Sequence, residues 1–451
     1  MTPELAARLV KAYDIRGLSP QELDEAAAHR IGAAFARLTG APEIAVARDM
    51  RDTSPALAAA FARGVREQGA AVVDAGLGST DYLYYVSGRL GVPGAMFTAS
   101  HNPAGYNGIK LCRAGAVPVG EGTGLEVLRA ALTEPAPAPA GRPGGSREVA
   151  LLADYAAHLH GLVDLSGLRP LKVVVDAGNG MAGLTVPLVL NQPELTVVPM
   201  YFELDGSFPH HEADPMKPEN VAALKERVRA EGADLGLAFD GDADRCFAVD
   251  ERGEAVPASS VVALVAKRLL AREPGAAVVH NLITSRGSVE QIEEAGGKPV
   301  RSRVGHSFVK ALMAEHQAVF GGEHSGHYYF RDFWFADTGL LAALHIIAEL
   351  SSTEGPLSRL VDGLKRYEAS GEVNVRTPDP AAAVAAVERA LGDAAAQLDH
   401  LDGLTASFAD GSWFNVRPSN TEPVLRLNAE AGDAATLAAL RERVLAAIAQ
   451  A

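Results

Sequence analysis

Apolar residues recur along most of the chain in two alternating textures. Leu23, Ala27, Ile31, Phe35 and Leu38 fall at helical spacing, as do Leu57, Phe61 and Val65. Ahead of the first set, Ser19-Pro20-Gln21-Glu22 offers an N-cap hydroxyl, a proline for the first helical position and a glutamate for a capping box. Ser54-Pro55 repeats the device ahead of the second. After each helical stretch comes a short apolar run, EIAVAR, AAVVDAG or GAMFTAS, that reads as a strand. Helices alternating with short apolar strands predict an α/β domain around a largely buried sheet.

The alternation returns twice. LKVVVDAGNG, a helix near 217–231 and ADLGLAFDGDADRCFAVD make a second α/β unit. A third runs from the helix SSVVALVAKRLLAR through AAVVHNLITSR and GGEHSGHYYF to the helix LLAALHIIAEL. From about Gly371 the texture changes. An Ala-rich helix, two candidate strands (TASFADG and SWFNVRP) and a final helix with Leu437, Leu440, Val444 and Ile448 predict a smaller α+β domain. Residues 134–149, rich in Ala, Pro and Gly and without apolar periodicity, read as a linker. The expected division is three similar α/β domains over 1–140, 150–254 and 255–368, then an α+β domain over 370–451. VVDAGLG (72–78) and VVDAGNG (174–180) echo each other, either because strand ends often look alike or because the first two units share a topology.

Composition narrows the class. The chain has 451 residues, 48% hydrophobic and 22% charged, so most of it must fold. With 41 Lys plus Arg against 56 Asp plus Glu the net charge is −15, which argues against a nucleic-acid partner. Two cysteines, Cys112 and Cys246, supply neither a disulfide framework nor a four-thiolate zinc site. The opening MTPELAARLVKAYDIRG lacks the apolar core of a secretory signal. No apolar run approaches the roughly 18 residues of a membrane span, and LLAALHIIAEL is interrupted by His345. The expectation is a cytoplasmic protein with no membrane partner, a monomer or small homo-oligomer.

Four segments carry candidate chemistry. Thr98-Ala99-Ser100-His101-Asn102-Pro103 follows a strand, where open α/β sheets place ligand sites; taken alone it also reads as an ordinary turn. It lacks the glycine pattern of a hydrolase nucleophile elbow, which excludes acyl transfer. Asp240-Gly241-Asp242-Ala243-Asp244-Arg245 sets three carboxylates at alternate positions, a donor set suited to Mg²⁺ or Ca²⁺. An EF-hand is excluded by Arg245 where its turn needs glycine and by the preceding strand. Gly321-Gly322-Glu323-His324-Ser325-Gly326-His327 suits a hydroxyl-rich ligand better than zinc. Arg417-Pro418-Ser419-Asn420-Thr421-Glu422-Pro423, with Arg426 behind it, has the donors of a phosphate cradle or of a plain turn with a surface arginine.

Together, in this order, TASHNP, DGDADR, GEHSGH and RPSNTEP resemble the α-D-phosphohexomutase family, the phosphomannomutase/phosphoglucomutase group. KAYDIRG (11–17) and YNGIK (106–110) extend the likeness over essentially the whole chain. The resemblance implies four domains around a central cleft, one active phosphoserine, one Mg²⁺ and reversible phosphoryl transfer between O1 and O6 of a hexose through a bisphosphorylated sugar. It implies Ser100 as the phosphoserine and, with Asp240, Asp242 and Asp244, as metal ligand. Arg16, His101 and Lys110 match positions lining the transfer site, with Lys110 and His101 as proton carriers, and Arg245 offsets the phosphate charge. Glu323, Ser325 and His327, with Gly305-His306, match sugar-facing positions; Arg417, Ser419, Asn420, Thr421 and Arg426 match the anchor of the non-reacting phosphate. His324 departs from the Met or Gln frequent at its position. Ile283 and Arg286 stand around a point where some relatives carry a lysine, so that lysine's base role does not carry over. HYYFRDFWFADTG favours a phosphomannomutase, acting on mannose and also glucose phosphates, over a phosphoglucosamine mutase. A non-catalytic phosphosugar- or Ca²⁺-binding protein is the remote alternative.

Overall fold

The computed structural model describes residues 1–11, 13–135, 137–419 and 424–450. Its first three sheets repeat one four-strand plan. In the first unit the strands are Glu43–Arg48, Ala71–Leu77, Gly94–Phe97 and Tyr106–Arg113. In the second they are Leu171–Asp176, Leu195–Met200, Leu235–Phe239 and Cys246–Asp250. In the third they are Ala277–Asn281, Lys298–Ser302, Phe320–Gly322 and Tyr328–Phe330. In every unit the first strand lies parallel between the second and third, and the fourth runs antiparallel beside the third.

This plan places TASHNP, DGDADR and GEHSGH identically. Each motif fills the corner between the third strand and the antiparallel fourth, so three loops of one topological type supply the chemistry. The echo between 72–78 and 174–180 has another origin. Ala71–Leu77 is the second strand of its unit and Leu171–Asp176 the first of the next. What they share is local: Asp74 Oδ1 accepts the Gly76 N–H at a register shift within its strand, and Asp176 Oδ1 accepts the Gly178 N–H at the end of its strand.

The predicted helix start at Ser19 is corrected by the structure. The helix spans Glu25–Thr39 and is capped by Asp24, whose carboxylate accepts the Ala27 N–H at 2.8 Å. Glu22 instead takes the Leu18 N–H at 3.0 Å, and the Ser19 hydroxyl donates to the Leu23 carbonyl, so Ser-Pro-Gln-Glu closes a turn. Ser54 does begin a helix, Ser54–Glu67, yet its hydroxyl donates to Asp49 at 2.6 Å and does not cap. The Pro- and Gly-rich stretch after 134 also stays with the first unit. Ala140 N–H donates to the Glu67 carbonyl, Gly144 N–H to that of Arg66, and Ser146–Glu148 pairs in parallel with the second strand.

One buried apolar cluster runs through the first three units, joining Tyr82 and Met96 to Val173 and Val175 and to Phe320 and Leu344. The helix Gly339–Ser352 lies within it, apolar on nearly every side, and its His345 stacks on Phe330 with ring centroids 5.3 Å apart. Buried Asp81 ties the units together: it accepts from the Ser79 hydroxyl, from Tyr155 Oη at 2.6 Å and from Thr338 Oγ1 at 2.6 Å. The fourth domain is closed on itself. Its antiparallel sheet includes Val373–Arg376, Leu404–Ser407, Trp413–Pro418 and Val424–Ala431, packed on helices Pro380–Leu391 and Ala434–Ile448 around Val387, Phe414, Leu427 and Val444. Among the described residues no helix is long and apolar enough to cross a membrane.

Candidate active site

Ser100 sits at positive φ (50°), buried, at the tip of the first corner loop. That conformation costs a non-glycine residue free energy, so surrounding bonds must impose it. Arg51 is the residue that does so. Its buried guanidinium donates to four carbonyls of the loop, those of Ser100, Asn102, Pro103 and Tyr106, at 2.6–2.9 Å. Asp49 balances its charge at 3.3 Å, and the Phe208 ring of the second unit covers it at 5.0 Å. Sequence reasoning passed over Arg51; Asp-Met-Arg-Asp after a strand was the available signal, and nothing in it tells a structural arginine from a surface one.

The Ser100 hydroxyl donates to Asp240 Oδ2 at 2.7 Å and lies 3.2 Å from His101 Nδ1. Asp240 also accepts from Arg245 Nε at 2.8 Å. Asp242 accepts from the Lys110 ammonium at 2.6 Å and from Thr80 Oγ1 at 2.6 Å, and Lys110 reaches Asp244 at 2.5 Å. Thr80, a second residue missed in the sequence, is the first residue of the helix Thr80–Leu90 and also donates its N–H to the Asp242 carbonyl. Arg16 reaches the same loop, donating to Asn102 Oδ1 and to Asp14, each at 2.5 Å.

Three buried carboxylates facing two cations leave the cluster short of positive charge. Burial is the main reason that Asp240 is pushed up to about 7, with Asp242 and Asp244 adding to it against Arg245. Burial and Asp242 also raise Asp244, whereas Lys110 keeps Asp242 well below the usual range against its burial. Burial would lower Lys110, but Asp242 and Asp244 outweigh it, so in this arrangement it is an ammonium. Burial and the charges of Arg245 and Arg16 keep the His101 imidazole neutral. Ligand oxygens of the three aspartates lie within 4.8 Å of one another, and Asp242 Oδ1 and Asp244 Oδ1 are buried without a hydrogen bond. Hard oxygen donors left unsatisfied around a charge deficit fit Mg²⁺. A second group, Asp244, His327 and Asp337, has comparable spacing, but the Lys310 ammonium already pairs with Asp337 at 2.6 Å.

The third corner loop adjoins this cluster. Arg245 and His327 bridge backbone to backbone, and Cys246 N–H donates to the Gly326 carbonyl. His327 Nδ1 is 3.0 Å from Asp337 Oδ2 and 3.9 Å from Asp244. Buried Glu323 accepts from Tyr329 Oη at 2.6 Å, from the Gly305 N–H at 3.1 Å and from Asn281 Nδ2 at 3.3 Å. His306 packs against Tyr13 of the first unit with ring centroids 5.1 Å apart, and burial keeps it neutral, down to about 3. Ser325 is half-buried on the same loop.

In the fourth domain Arg417 and Arg426 face each other across an antiparallel pair. Arg417 donates to Glu372 at 2.9 Å and to Asn428 at 3.2 Å, and Arg426 approaches Glu372 at 3.3 Å. Burial would raise Glu372, but His324, Arg426 and Arg417 outweigh it and hold it at about 2. Ser419 N–H donates to the Val424 carbonyl at 2.9 Å. Asn420 and Thr421 lie outside the described residues. Arg286 turns away from the site, donating to Glu290 and lying 5.7 Å over Tyr367.

Three like units that aim one type of loop at a serine–carboxylate cluster, with paired arginines on a fourth, define a phosphoryl-transfer architecture. Comparison with known proteins identifies it further. Residues 7–135, 153–253 and 257–367 match alpha/beta/alpha domains I, II and III of phosphoglucomutase/phosphomannomutase, and residues 372–447 match its C-terminal domain. The chain is 44% identical over 433 residues, 95% of its length and 96% of the relative's, to "Phosphohexose mutases" of Xanthomonas campestris pv. campestris. It is 39% identical over 448 residues (97% and 98%) to a phosphomannomutase of Salmonella typhimurium. The crystal structure of a phosphoglucomutase/phosphomannomutase family protein from Burkholderia thailandensis superposes with a TM-score of 0.90 at 31% identity, covering 98% of this chain and 97% of that one. The chain therefore belongs to the phosphoglucomutase/phosphomannomutase family of α-D-phosphohexomutases. It is an isomerase of the mutase type, moving a phosphoryl group within a hexose phosphate.

Proposed function

We propose that Ser100 is the phosphoryl carrier of a cytoplasmic mutase acting on mannose phosphates and also on glucose phosphates. The observation that supports this most directly is the buried Ser100 hydroxyl 2.7 Å from Asp240, inside a carboxylate cluster with unsatisfied oxygens. A phosphate on Ser100 lies beside Arg245 and His101, and attack by O6 or O1 of a bound monophosphate breaks the P–OSer100 bond and forms P–Osugar. The sugar hydroxyl's proton passes to neutral His101, the basic group beside Ser100, and from it to the departing Ser100 oxygen, which leaves as the hydroxyl. The resulting bisphosphate turns over, and its other phosphate returns to Ser100. Asp240, Asp242 and Asp244, with a phosphate oxygen, are the residues that would hold Mg²⁺, which when bound supplies charge neutralisation of the transferring group.

Glu323, Ser325, His306, His327 and Gly305 form the sugar side, and Arg417, Ser419, Asn420, Thr421 and Arg426 the anchor for the phosphate that is not reacting. On this reading four domains, cut near 140, 255 and 370, each present one loop to the substrate. The relatives named phosphomannomutase support mannose phosphates as substrates, and the one named phosphohexose mutases supports the wider hexose class. Peptide mapping should place one phosphate on Ser100. A comparative assay with mannose 1-phosphate, glucose 1-phosphate and glucosamine 1-phosphate should rank the last lowest. Phosphate found only elsewhere, with a fully active Ser100→Ala variant, refutes the reading.

A further inference from the structure

Two guanidiniums directly opposite each other in a sheet repel, and a pair like Arg417 and Arg426 needs an anion between them. In this structure the anion belongs to the protein. Glu372, at the entry to the fourth domain, contacts both arginines, one negative charge against two positive ones. The same carboxylate lies 3.5 Å from His324 Nε2 on the third domain's loop, just beyond hydrogen-bond length. Among the described residues His324 Nε2 is buried and has no hydrogen-bond partner. Its tautomer follows from its neighbours. Thr284 Oγ1 donates to Asn281 Oδ1, which fixes the amide; Asn281 Nδ2 therefore donates to His324 Nδ1 at 3.1 Å, and Nε2 carries the hydrogen that faces Glu372.

We propose that Glu372 is a positioning residue that stands in for the ligand's phosphate in the cradle and hands it over on binding. The inference rests on reading Arg417 and Arg426 as a phosphate anchor. A phosphate and a carboxylate cannot share the same two forks, and the phosphate has more charge and more acceptors. The displaced carboxylate is half-buried and needs a donor; His324 Nε2–H, 3.5 Å away, has no hydrogen-bond partner among the described residues. The contact then pulls on His324, and through Asn281 on Glu323, which accepts from the same amide. Phosphate in the fourth domain is thereby reported to the sugar loop of the third.

Inorganic phosphate, titrated calorimetrically into the full chain, is the probe. Arg417→Ala should abolish the Arg417-dependent binding; if it binds phosphate as the parent does, the anchor reading falls and this inference with it. Glu372→Gln removes the competing charge and should bind phosphate about tenfold tighter, while its kcat/KM for the monophosphate drops because nothing is handed to His324. If Arg417→Ala loses phosphate but Glu372→Gln binds it no tighter, the anchor stands and the stand-in role is overturned. Should the glutamine variant fail to fold, Glu372→Asp, which withdraws the carboxylate by one methylene, must show the tightening. His324→Met should keep phosphate affinity within about twofold and raise the monophosphate KM about tenfold, the loss of one hydrogen bond to a charge. An unchanged KM refutes the handover.

Discussion

At Ser100 the loop carrying the reacting atom is bonded from several directions: Arg51 holds four of its carbonyls, Asp240 its hydroxyl and Arg16 its asparagine. At Arg417 the cradle belongs to a domain with its own closed core and meets the rest of the site through the Glu372–His324 approach. Further tethers to the third unit include Glu430, which accepts from Trp413 Nε1 within the domain and from the Arg286 N–H and Ser285 hydroxyl, the Arg301–Asp399 ion pair, and Asp402, which accepts the Val304 N–H at 3.0 Å. The contrast matches two different demands. A transferring phosphoryl group needs donors fixed in advance, because electrostatic preorganisation is what lowers its barrier. On the proposed reading the remote phosphate is gripped in two orientations of the sugar and released between them, a task suited to a domain with its own core.

The largest expected effects fall at the rigid end. Ser100→Ala should lower kcat by at least about 10⁴-fold if Ser100 is the phosphoryl carrier proposed above. Equilibrium binding of glucose 1-phosphate should stay within a few-fold of the parent. If binding falls as far as turnover does, the two ends are not separable and the comparison breaks. Asp242→Asn should cost roughly 10²–10³-fold in kcat, because it removes a carboxylate from the cluster and one of the two that pair with Lys110. Chelation of the parent enzyme should mimic the loss and added Mg²⁺ should restore it; activity that survives both would sink the metal assignment.

How these residues come together was only partly legible in the sequence. Ser100 and the three aspartates announce themselves because short polar motifs follow apolar runs, and a strand-end loop is where such runs must stop. The repeated corner is not legible, since nothing local marks a strand as third or fourth in its sheet. The helix start at Ser19 misled because Ser-x-x-Glu serves a turn as well as a cap, and Asp24 offers the better acceptor. Arg51, Thr80 and Glu372 carry no motif. Their importance lies in partners 49, 162 and 45 residues away, Ser100, Asp242 and Arg417 respectively.

The phosphate-anchor end should respond more weakly and in a different parameter. Arg417→Ala should raise KM for the monophosphate about 10–100-fold and lower kcat less, because a lost anchor weakens positioning without touching the reacting bond. Steady-state kinetics on this variant beside Ser100→Ala sharpens the comparison: a pure kcat defect in Arg417→Ala would place it at the reacting end.

Gly305 lies between the two ends and should show the smallest effect. Its φ is 133°, a conformation that side chains rarely adopt, and a Cβ there would come within 2.7 Å of Tyr13 Oη. Its N–H also donates to Glu323, so the backbone cannot move freely to relieve the clash. Gly305→Ala should therefore cost about 1–3 kcal/mol of local strain, felt either as lower stability of the third unit or as displacement of Tyr13 and Glu323. Thermal unfolding measures the first and kinetics the second. With a rigid Ser100 end, the displacement should appear as a several-fold rise in KM with kcat nearly kept, because Glu323 faces the sugar and not the transferring phosphoryl. A kcat loss equal to the KM change would show that the sugar loop is mechanically continuous with the carboxylate cluster through the Arg245–His327 bridge. The rigid end would then extend into the third unit, leaving only the fourth domain free to move.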